Sequence, residues 1–162
     1  MIQHPFPPLY DEKSKILILG SFPSVKSREQ MFFYGHPQNR FWKVISAVFD
    51  SELPKTIDEK REFLLSNKIA LWDVIASCDI VGSSDVSIKN VAANDLTQIL
   101  KSANIKKIFV NGKTAEKYYN KYIKETINKE AVCLPSTSPA NAMWNIEKLT
   151  EEWKQNLQEF ID

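Results

Sequence analysis

Residues 34–42 carry the most unusual combination of side chains in this chain. Aromatic rings stand beside the imidazole of His36, the carboxamide of Asn39 and the guanidinium of Arg40. Aromatic faces bind flat rings by stacking, whereas an amide, an imidazole and a guanidinium supply directed hydrogen bonds. The segment therefore predicts a pocket for a flat polar ring.

Two apolar runs, within 15–24 and 131–142, each lead into a loop of small polar residues and proline. Each run predicts a buried strand whose carboxyl end opens into its loop. In open α/β sheets, ligands bind outside the carboxyl ends of the strands. We therefore expect both loops to be able to face one ligand.

The remaining pattern alternates between predicted strands and helices. Strands are predicted at 15–19, 70–75, 107–110 and 131–134, and helices at 41–49, 56–66, from 94 or 95 to 102, 114–127 and 147–160. Alternation of this kind predicts parallel pairing, hence an α/β fold with a three-layer α/β/α sandwich around a four-stranded parallel sheet. Thr56 and Glu59 have the spacing of a capping box. Asn111 and Gly112 favour a turn over a phosphate site.

Three motifs together resemble the uracil-DNA glycosylase superfamily: 20–24, 34–45 and 136–141. The similarity is strongest to its hypoxanthine-DNA glycosylase branch, and the mismatch-specific uracil/thymine glycosylases are also similar. The resemblance spans residues 15–145 and implies the same three-layer fold. It implies an enzyme that flips a damaged nucleotide out of DNA and hydrolyses its bond to deoxyribose. That chemistry requires no metal or organic cofactor, and we expect none.

The resemblance also implies catalytic roles. Tyr34 takes the position of the aromatic residue that stacks on the base, with Phe22 or Phe33 as substitutes. Superfamily members commonly position the attacking water with an Asp or Asn two residues after the first-motif glycine, where this chain has Phe22. Asn39 then becomes the candidate, because its carboxamide can accept from water and donate to the departing base. Capping of the following helix is the other interpretation of Asn39, and the two are compatible.

Three further side chains have open roles. His36 can be a general acid, a phosphate contact or a structural residue. Arg40 is expected to bind a phosphate or a carboxylate without taking part in catalysis. Asp73 stands where mismatch-specific relatives have an Asn; ionised, it can accept the N1–H of hypoxanthine but repels O6, whereas neutral it can bind both. A turn-capping role is the alternative. The expected base pocket comprises Gly20, Ser21, Phe22, Pro23, Tyr34 and Asp73.

The loop at 136–141 is expected to hold DNA phosphates, because its hydroxyl and backbone N–H groups carry little side-chain bulk. Residues 140–144 align with the family segment that probes the emptied base stack, with Asn141 or Met143 as wedge. Ser136 stands where the uracil-specific branch has a histidine for the leaving anion, which points away from that branch. The expected DNA contacts are Ser24, Arg40, Ser136, Thr137, Ser138, Pro139, Ala140 and Asn141.

Composition bounds these expectations. A length of 162 residues with 43% hydrophobic content predicts one domain, 1–162, with a real core. No apolar run approaches membrane-spanning length and no leader is visible, so we expect no association with a membrane. We expect a cytoplasmic monomer that lies at the nucleoid when it is bound to DNA. Cys78 and Cys133 lack metal-ligand spacing, which excludes a four-cysteine cluster.

The formal net charge of +1 is low for a nucleic-acid binder. Lysines cluster between residues 101 and 124, where a solvated helix face is the preferred interpretation over a phosphate track. Three functions stay open: a glycosylase for hypoxanthine, which is favoured, a mismatch-specific uracil/thymine glycosylase, and a non-catalytic nucleic-acid or nucleobase-binding module. No lysine occupies a motif position suited to a Schiff base, so strand cleavage is not expected.

Overall fold

Four parallel strands form the centre of the protein in a computed structural model that describes residues 1–161. The elements run in this order: β1 (Ile2–Gln3), β2 (Ile16–Gly20), α1 (Val25–Gln30), α2 (Phe41–Val48), α3 (Ile57–Ser66), β3 (Ile69–Asp73), β4 (Ile75–Asp79), β5 (Lys89–Ala93), α4 (Thr97–Ser102), β6 (Lys107–Asn111), α5 (Lys113–Tyr122), α6 (Lys124–Ile127), β7 (Ala131–Leu134) and α7 (Ile146–Leu157). Short 3-10 turns lie at Asp85–Ser87 and Gln158–Phe160.

The central sheet has the strand order β3-β2-β6-β7, and every neighbouring pair is parallel. Its register aligns the strand ends: Gly20 pairs with Asp73, and Asn111 pairs with Leu134. The carboxyl ends of all four strands therefore meet at one edge. The expected four-stranded parallel sheet is confirmed.

Helices cover both faces of this sheet because the buried strands alternate their side chains between two cores. Ile16 and Ile18 of β2 face a core that contains Phe41 of α2 and Trp153 of α7. Leu17 and Leu19 face the other core, which contains Ile99 of α4 and Tyr119 of α5. The α/β/α layering is confirmed, and it leaves the carboxyl edge of the sheet to loops.

A second, antiparallel sheet with the order β1-β4-β5 was not expected from the sequence. The single strand expected at 70–75 is wrong, because the chain leaves the central sheet at Val74 and enters β4 at Ile75. The Val74 N–H still donates to the Gly20 carbonyl (2.8 Å), and the Ile75 N–H donates to the Ser21 carbonyl (3.1 Å). Backbone pairing thus continues across the change of sheet, which explains why no glycine or proline marks it.

The helices follow the expectations with three differences. The capping box of α3 is confirmed, since Thr56 Oγ1 accepts the Glu59 N–H (3.0 Å). α4 begins at Thr97, later than expected, with Asp95 Oδ1 accepting the Thr97 N–H (2.9 Å). The helix expected at 114–127 breaks at Ile123, whose φ of −115° departs from helical values. α1 was not anticipated. Among residues 1–161, no helix has the length and apolarity needed to cross a bilayer.

Candidate functional site

A cavity of about 380 Å³ opens at the carboxyl edge of the central sheet. Gly20 and Asp73 line it from β2 and β3, Asn111 lines it from β6, and the loop after β7 contributes Ser136. Segment 34–39 and the 3-10 turn at Asp85–Ser87 complete the wall. Every strand of the parallel sheet thus delivers its end or its following loop to one cavity, as the rule for open α/β sheets requires.

Two asparagines and a threonine form a hydrogen-bonded chain across this cavity, here called the amide cluster (Asn39, Thr137 and Asn111). The Thr137 hydroxyl donates to Asn39 Oδ1 (2.9 Å), although 98 residues separate the two in sequence. Asn111 Nδ2 donates to Thr137 Oγ1 (3.0 Å), and Asn111 Oδ1 accepts the Thr137 N–H (3.1 Å). These hydrogen bonds therefore join segment 34–42 directly to the loop after β7.

The amide cluster fixes the orientation of Asn39. Asn39 Oδ1 also accepts the Phe41 N–H at the start of α2 (2.9 Å), so the capping interpretation is correct. Because this oxygen already accepts two hydrogen bonds, Nδ2 is the part of the amide left for a ligand. The expectation that Asn39 accepts from a water is therefore wrong for this arrangement, whereas Nδ2 is available to donate to a departing base.

Two predicted DNA contacts have other partners. Thr137 is completely buried, and its hydroxyl links the two asparagines, so its predicted contact with phosphate is wrong. The Arg40 guanidinium donates to the backbone carbonyls of Ser138 (2.8 Å), Asn141 (3.0 Å), Thr137 (3.4 Å) and Trp144. The phosphate or carboxylate partner expected for Arg40 is replaced by the loop itself, which Arg40 holds in shape.

Other loop hydroxyls keep a free donor. Ser136 Oγ accepts the Ser138 N–H (3.1 Å), and Ser138 Oγ accepts the Ala140 N–H (3.1 Å). Each hydroxyl hydrogen is still available, because these bonds use only oxygen lone pairs. Pro139 and Ala140 are exposed beside them.

The two candidate wedges differ. Asn141 Nδ2 is tied to the Ser136 carbonyl (3.0 Å), whereas Met143 is 93% exposed. Met143 is therefore the free apolar side chain of this loop. The loop packs closely on Gly112, where an added Cβ would lie 2.9 Å from Ser136 Cβ and where φ is +96°. The predicted turn at Asn111 and Gly112 is reduced to a bend at Gly112, because Asn111 is the last residue of β6. No sequence signal placed Asn111 in the site.

Tyr34 lies between the core and the cavity. Its ring stacks on Phe41 with centroids 4.1 Å apart, which covers one face and leaves only the other for a base. Its buried hydroxyl has no hydrogen-bond partner among residues 1–161. Burial, reinforced by the negative charge of Asp73, raises the pKa of Tyr34 far above its usual value, while the nearby Asn111 side chain opposes part of that rise. The hydroxyl is therefore a permanent donor at physiological pH.

Two carboxylates also line the cavity, and they and their partners are here called the carboxylate side: Asp73 with His4 behind it, and Asp85 with Ser21. His4 Nε2 lies 2.7 Å from Asp73 Oδ2, and both side chains are almost fully buried. Ser21 donates to Asp85 Oδ1 (3.2 Å) from the first motif. Asp85 is an exposed residue at the cavity, but desolvation of its carboxyl raises the pKa of that group, hydrogen bonds from Ser21 and Thr114 oppose the rise, and Asp73 adds to it.

The sequence pattern missed both His4 and Asp85. His4 lies 69 residues from Asp73, and a lone histidine near a chain end carries no local signal. Asp85 looked like part of an ordinary polar loop, yet its turn lines the cavity. The partners of these residues depend on tertiary contacts that no short-range spacing reveals.

The remaining predicted residues also lie at the cavity. His36 Nδ1 accepts the Gln38 N–H (3.1 Å), so Nε2 carries the donor hydrogen in the neutral ring. Phe22 is buried beneath the Arg28 guanidinium, which lies 5.7 Å from its ring centre. Pro23 lines the wall, and Ser24 Oγ caps α1 by accepting the Ser27 N–H (3.1 Å). Within residues 1–161, no three His, Cys, Asp or Glu side chains are grouped to hold a metal ion.

Comparison with known proteins identifies the family. The model of the uracil DNA glycosylase superfamily matches residues 7–161. The chain belongs to the uracil DNA glycosylase superfamily. The hypoxanthine DNA glycosylase of Methanosarcina barkeri is 37% identical over 139 residues, covering 84% of this chain and 86% of that protein. The hypoxanthine DNA glycosylase of Methanosarcina acetivorans is 33% identical over 156 residues, covering 95% and 97%.

A solved structure agrees with this membership. The solution NMR structure of a proposed uracil DNA glycosylase from Methanosarcina acetivorans superimposes with a TM-score of 0.83 at 30% identity and covers 99% of both chains. The superfamily resemblance inferred from the three motifs is therefore confirmed, together with the fold it implied.

Proposed function

We propose that this chain is a monofunctional DNA glycosylase that hydrolyses the bond between deoxyribose and a deaminated base, chiefly hypoxanthine. The amide cluster is the observation that carries this proposal, because it brings Asn39 and the loop after β7 to one cavity. The cavity volume of about 380 Å³ falls in the usual range for small-molecule sites. The names of the two Methanosarcina relatives favour hypoxanthine as the base.

The reaction begins when the nucleotide leaves the base stack and enters the cavity. Tyr34 offers the ring face that Phe41 does not cover, and an aromatic contact with a base contributes about 1–3 kcal/mol. Ser136 and Ser138 donate hydroxyl hydrogens to phosphates on either side of the flipped nucleotide. Arg40 contributes by holding that loop rather than by touching DNA.

In the chemical step, water attacks the anomeric carbon as the bond to the base breaks, and the bonding electrons leave with the base. Asn39 Nδ2 donates to the base and stabilises this charge, because Asn39 Oδ1 is already occupied. His36 Nε2 is a second donor at the cavity. The departing base finally takes up a proton.

The attacking water must lose a proton, and this requires an acceptor. Phe22 occupies the motif position where relatives place a polar group, and it cannot accept a hydrogen bond. Two carboxylates line the cavity, and Asp73 is engaged with His4. We therefore assign Asp85 as the acceptor, since Ser21 holds its carboxylate beside the first motif.

A panel of duplexes tests this function. Each duplex carries a single deoxyinosine, uracil, xanthine or thymine mismatch, is incubated with the purified protein, and is then treated with alkali to cleave abasic sites. We expect cleavage at deoxyinosine, and only after alkali, because no Schiff base forms. Pyrimidine release alone would support a mismatch-specific uracil/thymine glycosylase, and binding without cleavage would support a non-catalytic binding module. Either result would overturn the proposal.

A further inference from the structure

His4 and Asp73 form a buried pair, of which Asp73 lines the cavity. Their side chains are 3% and 5% exposed, and His4 Nε2 lies 2.7 Å from Asp73 Oδ2. The His4 ring is enclosed by Trp72 and Phe6, with ring centroids 4.4 and 4.6 Å away. The match to the superfamily model covers residues 7–161 and so begins after His4.

The surroundings of His4 decide which of its nitrogens carries hydrogen. His4 Nδ1 is buried and has no hydrogen-bond partner in the described part of the chain. A hydrogen on Nδ1 would be an unpaired buried donor, which is rarer and costlier in proteins than an unpaired acceptor. The hydrogen therefore sits on Nε2 and is donated to Asp73 Oδ2. Asp73 is left as an acceptor at its other oxygen.

That other oxygen, Asp73 Oδ1, occupies space that only a glycine neighbour permits. A Cβ added to Gly20 would lie 2.5 Å from Asp73 Oδ1 and 3.0 Å from the Tyr34 hydroxyl. Asp73 lines the cavity, and the Tyr34 hydroxyl is the unpaired buried donor described above. An acceptor and a donor therefore stand close together at the same place in the wall.

We propose that the His4–Asp73 pair selects bases that carry a ring N–H beside a carbonyl, with Asp73 Oδ1 accepting the N–H and His4 acting as the positioning residue that keeps Asp73 an acceptor. The inference rests on the proposed glycosylase function and names the substrate feature that it reads. Hypoxanthine presents its N1–H to Asp73 Oδ1. Adenine presents a lone pair at N1, so it has no hydrogen to donate to that oxygen.

This selectivity follows from the cost of unpaired buried groups. With adenine in the cavity, the N1 lone pair would face the Asp73 oxygen, and neither would have a hydrogen to share. A site that hydrogen-bonds a substrate N–H or O–H strongly rejects an analogue without that group, because the buried partner in the site is then left unpaired. Discrimination between the deaminated base and its parent would thus come from the pair rather than from cavity shape.

The test compares two substrates that share the purine ring. Single-turnover excision is measured on duplexes with deoxyinosine and with purine 2′-deoxyriboside, which lacks both N1–H and O6. Leaving-group differences cancel when the ratio of the two rates is compared between proteins. His4→Leu should lower the preference for deoxyinosine at least about tenfold, which corresponds to about 1.4 kcal/mol. His4→Gln retains a side-chain N–H₂ donor and should keep most of the preference.

Phe6→Leu is the matched control, because it loosens packing against the His4 ring without removing a hydrogen bond. An unchanged substrate preference in His4→Leu would overturn the inference. Equal loss of preference in Phe6→Leu and His4→Leu would also overturn it, since packing alone would then explain the effect.

A second measurement needs no variant of His4. The nitrogen-15 chemical shifts of the His4 ring in the unmodified protein should report hydrogen on Nε2 only, and a hydrogen on Nδ1 would overturn the inference whether or not the variants fold. Failure of this inference is separable from failure of the function. If the unmodified protein releases no hypoxanthine, the function fails; if it does so while His4→Leu keeps its selectivity, only the inference fails.

Discussion

The two sides of the cavity are built from different chemistry. The amide cluster links Asn39, Thr137 and Asn111 through neutral groups, and Thr137 at its centre is completely buried. The carboxylate side places Asp73 beside His4 and Asp85 beside Ser21, so it carries carboxylate oxygens that accept hydrogen bonds. The uncharged side therefore fixes the geometry of the cavity, whereas the acceptors for protons and for base edges come from the carboxylate side.

The strongest way to break this comparison is to change the amide of Asn39 while keeping its geometry. Asn39→Asp preserves an oxygen for the Phe41 N–H and the Thr137 hydroxyl but removes the Nδ2 donor. Excision of hypoxanthine should fall about 100- to 1000-fold under single-turnover conditions, as for loss of a donor to developing negative charge. Asn39→Ala should lose activity similarly and retain most DNA affinity. Near-normal turnover in Asn39→Asp would show that Asn39 does not act as a donor.

The next largest effect should come from the carboxylate side. Asp85→Asn removes the acceptor assigned to the attacking water, and loss of a positioned general base typically slows a reaction about 100-fold or more. Because desolvation of its carboxyl raises the pKa of Asp85, the unmodified enzyme should lose activity on acidification at a pH above the usual aspartate range, as the carboxylate takes up a proton.

The matched control for Asp85 is Ser84→Ala at the neighbouring rim position, where no carboxylate is removed. The pH–rate profile of Asp85→Asn should lack the acidic limb of the unmodified enzyme. An acidic limb that persists unchanged in Asp85→Asn would assign it to another group and contradict the proposed role.

Tyr34 lies where the two sides meet, and its ring and hydroxyl can be separated. Tyr34→Ala removes the stacking face and should slow single-turnover excision about tenfold, consistent with about 1–3 kcal/mol for a base–aromatic contact. Tyr34→Phe keeps that face and removes only the unpaired hydroxyl, so it should have a smaller effect. Binding of a duplex with an abasic-site analogue reports affinity separately. Equal activity in Tyr34→Ala and the unmodified enzyme would exclude stacking.

Substitution of Thr137 should have a smaller effect on the excision rate, because Thr137 acts only by positioning Asn39. Thr137→Val removes the hydroxyl that joins the two asparagines, while Thr137→Ser keeps it. Loss of such buried hydrogen bonds costs about 0.5–1.5 kcal/mol each, so we expect a lower melting temperature and severalfold slower excision in Thr137→Val. Thr137→Ser should behave much like the parent. A faster rate in Thr137→Val would mean that the hydroxyl restrains Asn39 in an unproductive orientation.

The smallest expected effect concerns the rim. Met143→Ala removes the exposed apolar side chain and should slow excision a few-fold on duplex DNA but leave single-stranded substrates unchanged, because only a duplex needs its stack filled. Val81→Ala, at an exposed apolar residue outside the cavity wall, is the control. An equal loss of excision rate on duplex and single-stranded substrates would show that Met143 is not a wedge.

The sequence predicted the four parallel strands because each is a short apolar run that ends in turn residues. It failed at Val74, where an unbroken apolar run hides a change between two sheets. It placed the segments around Asn39 and Ser136 at one cavity, because both follow strand and motif signals. Spacing alone could not show that Thr137 is buried between two asparagines or that the Arg40 guanidinium donates to backbone carbonyls.

His4 and Asp85 show the same limit for chemistry. The role proposed for each residue depends on a partner far away in the chain, which is Asp73 for His4 and Ser21 for Asp85. Hydrogen-bond saturation is a further property that sequence does not display: the oxygen of Asn39 looks like a free acceptor until its two donors are located. Roles that depend on which atom remains unpaired therefore required the structure.

The most direct test is mass spectrometry of the small molecules released from a duplex that contains a single deoxyinosine. The proposed function predicts free hypoxanthine, in an amount equal to the abasic sites formed, with the strand intact until alkali is added. Saturated binding of the duplex without any free base would contradict the proposed function.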